Sequence, residues 1–382
     1  MQTQKYTIRF NTPAFLGNAE QNGQWRTPPF KAQLRQWWRV AYAAAERFDV
    51  NVADMRRVEG LLFGNAWLSH QENGCEIADH RRSWVRLRLE RWDDGTLKKA
   101  SWPSDATVRH PEVKDKQGAL KPIGSALYQG FGPLIYDNKR RTTALKANAA
   151  IQADEKARLG LAYPQEHADL IERALWLMHR YGTVGGRSRN GWGSYELTPV
   201  DETPALSGSV PLRPWRDCLN LDWPHAIGKD ERGALIWKTA EHDDWQLLMR
   251  TLAIIKIGLR TQFVFPPAPH RNPLPRHWLS YPVTNHDVRP WDNLRLPNSL
   301  RFKVRKQGNK LVGVIFHMPC LPPPAFAPHL TTIIDVWQCV HAFLDALGHS
   351  PARRTYCQLA DNDALNAQSS QLARVTLERI PE

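Results

Sequence analysis

Tyr181-Gly-Thr-Val-Gly-Gly-Arg-Ser-Arg-Asn-Gly-Trp-Gly-Ser194 gathers five glycines, two arginines and a tryptophan within fourteen residues. Glycine takes positive φ without strain and lets a ligand approach the backbone closely. Successive exposed N–H groups in such a loop form a concavity suited to anions. Arg187 and Arg189 add forked donors that match phosphate, and Trp192 offers a ring face on which a base could stack. Gly185, Gly186, Arg187, Ser188, Arg189, Asn190, Gly191, Trp192 and Gly193 are therefore expected to bind nucleic acid, against the plainer reading of a connection that needs tight turns. A triphosphate loop of Walker A type would require glycine at 181 and lysine at 187; Tyr181 and Arg187 exclude it. Gly191 to Leu197 partly echoes an RNA-recognition strand, without its final aromatic.

A second group lies near the start of the chain. Lys31, Arg35 and Arg39 are four residues apart and stack along one helix face. Like charges at this spacing repel by roughly 0.2–0.5 kcal/mol per pair, and no acidic residue within the stripe offsets them. A polyphosphate-binding face is the expectation, with Trp37 and Trp38 on the apolar side assigned to the core. Of the 14 histidines, none falls in the stripe or the loop. His70, His80 and His179 are nearest, and each reads as a surface or packing side chain. His317-x-x-Cys320 and Cys339-x-His341 lack the tight recurring spacing of a zinc site. Asp93-Asp94 reads as a turn and Asp243-Asp244 as a helix N-terminus. No catalytic residue, metal or cofactor is expected.

Bulk charge agrees with a polyanionic partner: 51 Lys+Arg stand against 38 Asp+Glu, a net +13, which favours nucleic acid. The basic clusters Lys98-Lys99 and Lys139-Arg-Arg141 read as solvated loops. Five cysteines, at 75, 218, 320, 339 and 357, form no C-x-x-C pair; reduced thiols and a cytoplasmic location are expected. Met1 to Tyr6 is no hydrophobic signal, and no apolar run reaches the roughly 18 residues of a membrane span.

The elements that must hold these groups follow from periodicity. Lys5–Phe10 and Ser83–Trp92 alternate as strands. Apolar residues at 30, 34, 37, 38, 41, 45 and 48 define a helix entered through Thr27 as cap and Pro28 as first residue. Leu127–Tyr136 is expected as a strand after a polar excursion over 93–122. Leu170 to Tyr181 reads as a helix capped by Gly182, and Ser194–Pro199 as a strand. Strand, helix, strand, strand, helix, strand is the split βαβ order of a ferredoxin-like domain. Residues 1–200 are thus expected to form one such domain, 201–240 a Pro-, Gly- and Trp-rich linker, and 241–382 a second copy. The second copy holds a helix over Trp245–Phe263, a hairpin at Gln307-Gly-Asn309, a helix over Ile333–Leu347 and a strand at Arg374–Arg379. The fold class is α+β.

Phe10-Asn-Thr-Pro-Ala-Phe-Leu-Gly17 and Arg26-Thr-Pro-Pro-Phe-Lys-Ala-Gln-Leu-Arg-Gln-Trp-Trp-Arg39 resemble the T-P-x-F-L-G and R-P-P-S-x-K-G-x-L-R-x-W-W-R elements of the first subunit of the type III-B CRISPR Cmr complex. Phe30 stands where that family has a small residue, and Ala32 where it has glycine. Glu59-Gly-Leu-Leu-Phe-Gly64 resembles its E-x-x-L-F-G element, and Gly182–Gly193 is similar to the glycine-rich loop of the RAMP superfamily. The resemblance implies two tandem ferredoxin-like (RRM-like) domains with long loop insertions. It also implies a role in antiviral defence at the crRNA 3′ end, near where target RNA pairs, among other effector subunits. Lys31, Arg35, Arg39 and the 185–193 loop would meet the RNA backbone, and cleavage would belong to another subunit. The alternatives are a RAMP-type metal-independent endoribonuclease that processes precursor crRNA through a histidine, and a stand-alone RRM protein.

Overall fold

The computed structural model describes residues 1–66, 69–78, 80–348 and 369–381; His70, whose side chain falls outside this set, and Cys357 are not followed further. In chain order the main elements are β1 (Gln2–Phe10), α1 (Thr27–Ala45), α2 (Val52–Phe63), β2 (Arg86–Leu89), β3 (Thr107–Lys114), β4 (Leu120–Gly124), α3 (Ser125–Gly130), β5 (Lys156–Tyr163), α4 (Ala168–Tyr181) and β6 (Tyr195–Pro199). Then come β7 (Ile236–Thr239), α5 (Trp245–Thr261), β8 (Leu300–Gln307), β9 (Lys310–His317), α6 (Leu330–Ala346) and β10 (Leu377–Arg379). The class is α+β. No described helix is long and apolar enough to cross a membrane.

These elements pack as two compact units, each discontinuous in sequence. One comprises Met1–Lys98, Ala147–Gly186 and Trp192–Pro211; the other comprises Lys99–Lys146, Arg187–Gly191 and Leu212–Glu382. Composition pointed to one break over 201–240. That stretch instead contains β7, whose Trp237 is fully buried in the second unit's sheet.

In the first unit, the sheet order is β6-β1-β5-β2, with every neighbour antiparallel. The strand expected at Leu127–Tyr136 is absent there. Its position belongs to β5; 125–130 is helical, and Leu134–Asp137 is a strand that pairs with Thr142–Leu145 in the second unit instead. Lys156-Ala-Arg-Leu-Gly-Leu-Ala-Tyr163 alternates in burial, but Ala and Gly have weak strand preference, so long-range pairing with β1 decides its state. The helix α1 starts at Thr27, the expected cap itself: Arg26 holds the extended N-cap position, and Thr27 Oγ1 is buried without a partner among the described residues. It stops at Ala45 because Arg47 and Phe48 take positive φ. An unforeseen helix, α2, starts where Asn51 accepts from the Ala53 and Asp54 amides, an N-cap arrangement. Trp37 packs on Tyr181 and Trp38 on Phe63, both in the core as expected. Phe30 fills the centre against Phe10, Trp25 and Tyr195.

In the second unit the sheet order is β8-β9-β7-β10, again antiparallel throughout. Asp244 caps α5 through the Leu247 amide, at 2.9 Å. His317 and His341, far apart in sequence, do meet: His341 Nε2 lies 2.9 Å from His317 Nδ1, and Ser299 Oγ lies 3.0 Å from His317 Nε2. Burial drives the His317 pKa well below its usual value and His341 down to about 3, so this is a neutral core network. Among the described residues, no group of three or more His, Cys, Asp or Glu could hold a metal ion. Cys75, Cys218 and Cys320 are free thiols; Cys339 is disulfide-bonded, unlike the reduced state expected of all five.

Candidate nucleic-acid interface

On α1 the three cations line one face as their spacing requires, but the stripe is not uncompensated. Glu59, the first residue of the Glu59–Gly64 element, reaches across from α2. Its Oε1 accepts from Arg35 Nε and lies 2.7 Å from Arg39 Nη2. The Glu59 side chain is 3% exposed, whereas Arg35 and Arg39 stay 37% and 41% exposed. One buried carboxylate therefore orients two guanidinium groups while their outer donors still face solvent. Lys31 forms no ion pair among the described residues. Burial, then the neighbouring Arg35, lowers its pKa. The stripe holds three cations against one carboxylate, a weaker positive face than the sequence alone implied.

The glycine loop divides into legs and a tip. The legs, Gly185, Gly186, Trp192 and Gly193, lie in the first unit and pack on the Asn11–Gly17 segment. Gly186 N donates to Phe15 O at 3.0 Å, Gly193 N to Pro13 O at 2.9 Å, and Ser194 N to Thr12 Oγ1 at 3.0 Å. Gly185 sits at φ +90, and a Cβ there would lie 2.7 Å from Phe15 O; at Gly193, with φ +63, a Cβ would lie 1.9 Å from Val184 O. These glycines are required for folding. Trp192 is fully buried, its ring 5.2 Å from Phe15. It offers no face to a base, which corrects the expectation. Gly191 and Gly193 are likewise buried and cannot meet an RNA backbone.

The tip, Arg187–Gly191, belongs to the second unit. Arg189 O accepts from Phe302 N at 3.0 Å, and Asn190 bridges β8 in parallel. Asn190 Nδ2 donates to Gln129 O at 2.7 Å, which spends that amide on structure. Arg187, at φ +57, donates from Nε to Phe131 O at 2.6 Å. Arg187 and Arg189 are exposed, and neither forms an ion pair among the described residues. The amides of Arg187, Ser188 and Arg189 have no hydrogen-bond partner there either. The anion-seeking part of the loop thus contracts to three residues. The α1 stripe and this tip lie in different units, so each is a candidate surface in its own right.

Two features escaped sequence reading. In the sequence Glu59 shows only as the first residue of a motif. Lys256 and Arg260 on α5 read as part of an apolar helix, yet Lys256 Nζ donates to Asn190 Oδ1 at 2.8 Å. Cations four apart inside an apolar helix would have been the signal.

The histidines named as nearest to the motifs do not assemble. His80 is exposed, and His179 Nδ1 accepts from Leu197 N at 3.2 Å, a packing role.

A search of curated proteins returned no match. Among solved structures, the chain is similar to Cmr1 from Pyrococcus furiosus in its apo form, at 15% identity and a TM-score of 0.40, covering 87% of this chain and 93% of that one. It is also similar to a chain of the type III-B Cmr-beta complex bound to cognate target RNA, at 10% identity and a TM-score of 0.42, covering 83% and 94%. Scores this low establish neither a common fold nor a shared role. The model of the RAMP superfamily matches residues 7–196, the span that carries β1, α1, Glu59 and the loop. Through residues 7–196, the chain belongs to the RAMP superfamily.

Proposed function

We propose that this protein is a non-catalytic, RNA-binding subunit of a type III-B CRISPR effector, contacting crRNA in its 3′ region and target RNA beside other effector subunits in the cytoplasm. Its two units are read as tandem ferredoxin-like domains. Supporting this, each sheet has its fourth and third strands flanking the first, the second at the far edge, all antiparallel, as the split βαβ order requires. The observation that carries the reading is the loop tip, where two exposed arginines without carboxylate partners stand beside three unengaged amides. Such a surface reads backbone charge and shape rather than sequence.

The test is the salt dependence of RNA affinity. Each single-strand phosphate contact contributes roughly 0.7 log unit of affinity per log unit of salt. Replacing Arg187 and Arg189 with Gln is expected to flatten that slope; an unchanged slope removes the tip from the interface. Incubating the purified protein with repeat-containing RNA checks the non-catalytic assignment: clean cleavage abolished by one His→Ala substitution would make it an endoribonuclease.

A further inference from the structure

We propose that Arg187, Lys256, Arg260 and Arg276 of the second unit form a binding site for a phosphate group. Lys256 and Arg260 are one turn apart on α5 and so share a face. Lys256 feels the charges of Arg260 and Arg187, and Arg260 feels that of Arg276, so the four cations form one electrostatic cluster. Among the described residues a single carboxylate, Glu112, answers them, and its hydrogen bond is from Arg276 Nη1. His110 and His286 face the same carboxylate, and burial holds both below the usual histidine pKa, His110 at about 4.

The remaining partners are neutral. Lys256 Nζ meets Asn190 Oδ1 at 2.8 Å, Arg260 Nη1 meets Ser280 Oγ at 2.8 Å, and Arg187 Nε meets Phe131 O at 2.6 Å. Neither Lys256 nor Arg260 forms an ion pair among the described residues. Arg276 is 4% exposed, lies 4.9 Å from the Phe265 ring centroid, and leaves its Nε buried without a hydrogen-bond partner among the described residues. The Tyr128 ring lies 5.5 Å from Lys256 Nζ. Desolvated like charges with neutral partners disfavour the charged state; burial first, then Arg260 and Arg187, pulls the Lys256 pKa far down. An entering phosphate reverses this, because its oxygens accept from guanidinium forks and an ammonium together.

The first unit supplies a contrast. Lys31 and Arg35 repeat the Lys256 and Arg260 spacing on the helix that follows that unit's first strand, and there Glu59 pairs with Arg35. Arg260, at the place of Arg35, forms no such ion pair among the described residues and meets Ser280 Oγ instead.

A phosphate of an RNA backbone and a free phosphate or nucleotide share this chemistry, so two probes separate them: a short labelled oligouridylate and inorganic triphosphate. Binding is compared for the full chain, Lys256→Met/Arg260→Gln and Arg187→Gln. The double variant is expected to weaken at least one probe by roughly tenfold or more. If oligouridylate is lost, its salt slope falls by roughly 0.7 per missing contact and the ligand is RNA; loss of triphosphate alone makes it a free phosphate. Arg187→Gln, at an exposed residue, is expected to weaken the same probe by a smaller factor. The site is overturned if both variants bind both probes as tightly as the parent, or if the parent binds neither. A parent that binds triphosphate but not oligouridylate leaves this site standing and removes the RNA-binding function.

Discussion

The helices α1 and α5 carry the same Lys–Arg spacing and meet different electrostatic solutions. On α1 a buried Glu59 holds Arg35 and Arg39 in place while they remain part-exposed. On α5 the neighbours of Lys256 and Arg260 are an amide, a hydroxyl and an aromatic ring. A cation with an internal counter-ion is stable without a ligand and attracts an anion less. One held among neutral groups is poised for a ligand at some cost to the free protein. The same Lys–Arg pattern thus makes one pre-paired surface and one that waits for its anion.

Four experiments break or sharpen this contrast. The largest expected effect is on stability in acid. His110 and His277 in the second unit are held by burial at pKa values of about 4. A histidine whose folded pKa lies below its unfolded value of 6.5 takes up a proton on unfolding, so its stabilisation is complete above 6.5 and is lost as pH falls from 6.5 towards 4. At full loss this is on the order of 3 kcal/mol for each group. Hydrogen exchange resolved by unit should show the second unit opening first on acidification; simultaneous opening would contradict the uneven placement of these buried groups.

Next is the triple variant Lys31→Ala/Arg35→Ala/Arg39→Ala. If all three cations meet phosphate, the slope of log affinity against log salt falls by roughly 2. A fall of less than one contact's worth would mean that Glu59 already neutralises the stripe, and RNA titration over a salt series reads it directly. Glu59→Gln moves affinity and stability in opposite directions. Replacing the buried carboxylate that pairs two guanidinium groups with a neutral amide is expected to cost roughly 1–3 kcal/mol in urea unfolding, while RNA affinity rises as the stripe gains positive charge. Affinity that falls with stability would assign Arg35 and Arg39 to scaffolding. The smallest effect on RNA affinity belongs to Gly185→Ala. A side chain there adds close contact with Phe15 O to a left-handed backbone that by itself costs roughly 1 kcal/mol, so the melting temperature is expected to fall while the salt slope stays unchanged.

Much of this molecule was legible in its residues, and the misses share a cause. The α4 helix, the 300–317 hairpin, the Asp244 cap and the burial of Trp37 and Trp38 all follow local periodicity or capping chemistry, which a short window displays. The third strand of the first sheet was misplaced because Lys156–Tyr163 is strand only through pairing with residues far away in sequence. The excursion over 93–122 read correctly as a polar insertion, yet nothing local says that residues 99–146 pack with the second unit. In the loop, glycine content was visible; whether each glycine serves ligand approach or backbone crowding depends on Phe15 and Val184 beside it.

The amino-acid sequence by itself determined the net positive charge, the Lys31–Arg35–Arg39 spacing and a glycine-rich turn bearing two arginines, because composition and helical period are local properties. Only the tertiary structure decided which cations acquire a carboxylate, that Trp192 turns inward, and that Lys256 reaches Asn190 of the loop tip. Charge compensation and burial depend on side chains brought together from distant parts of the chain, and no single stretch of sequence specifies that company.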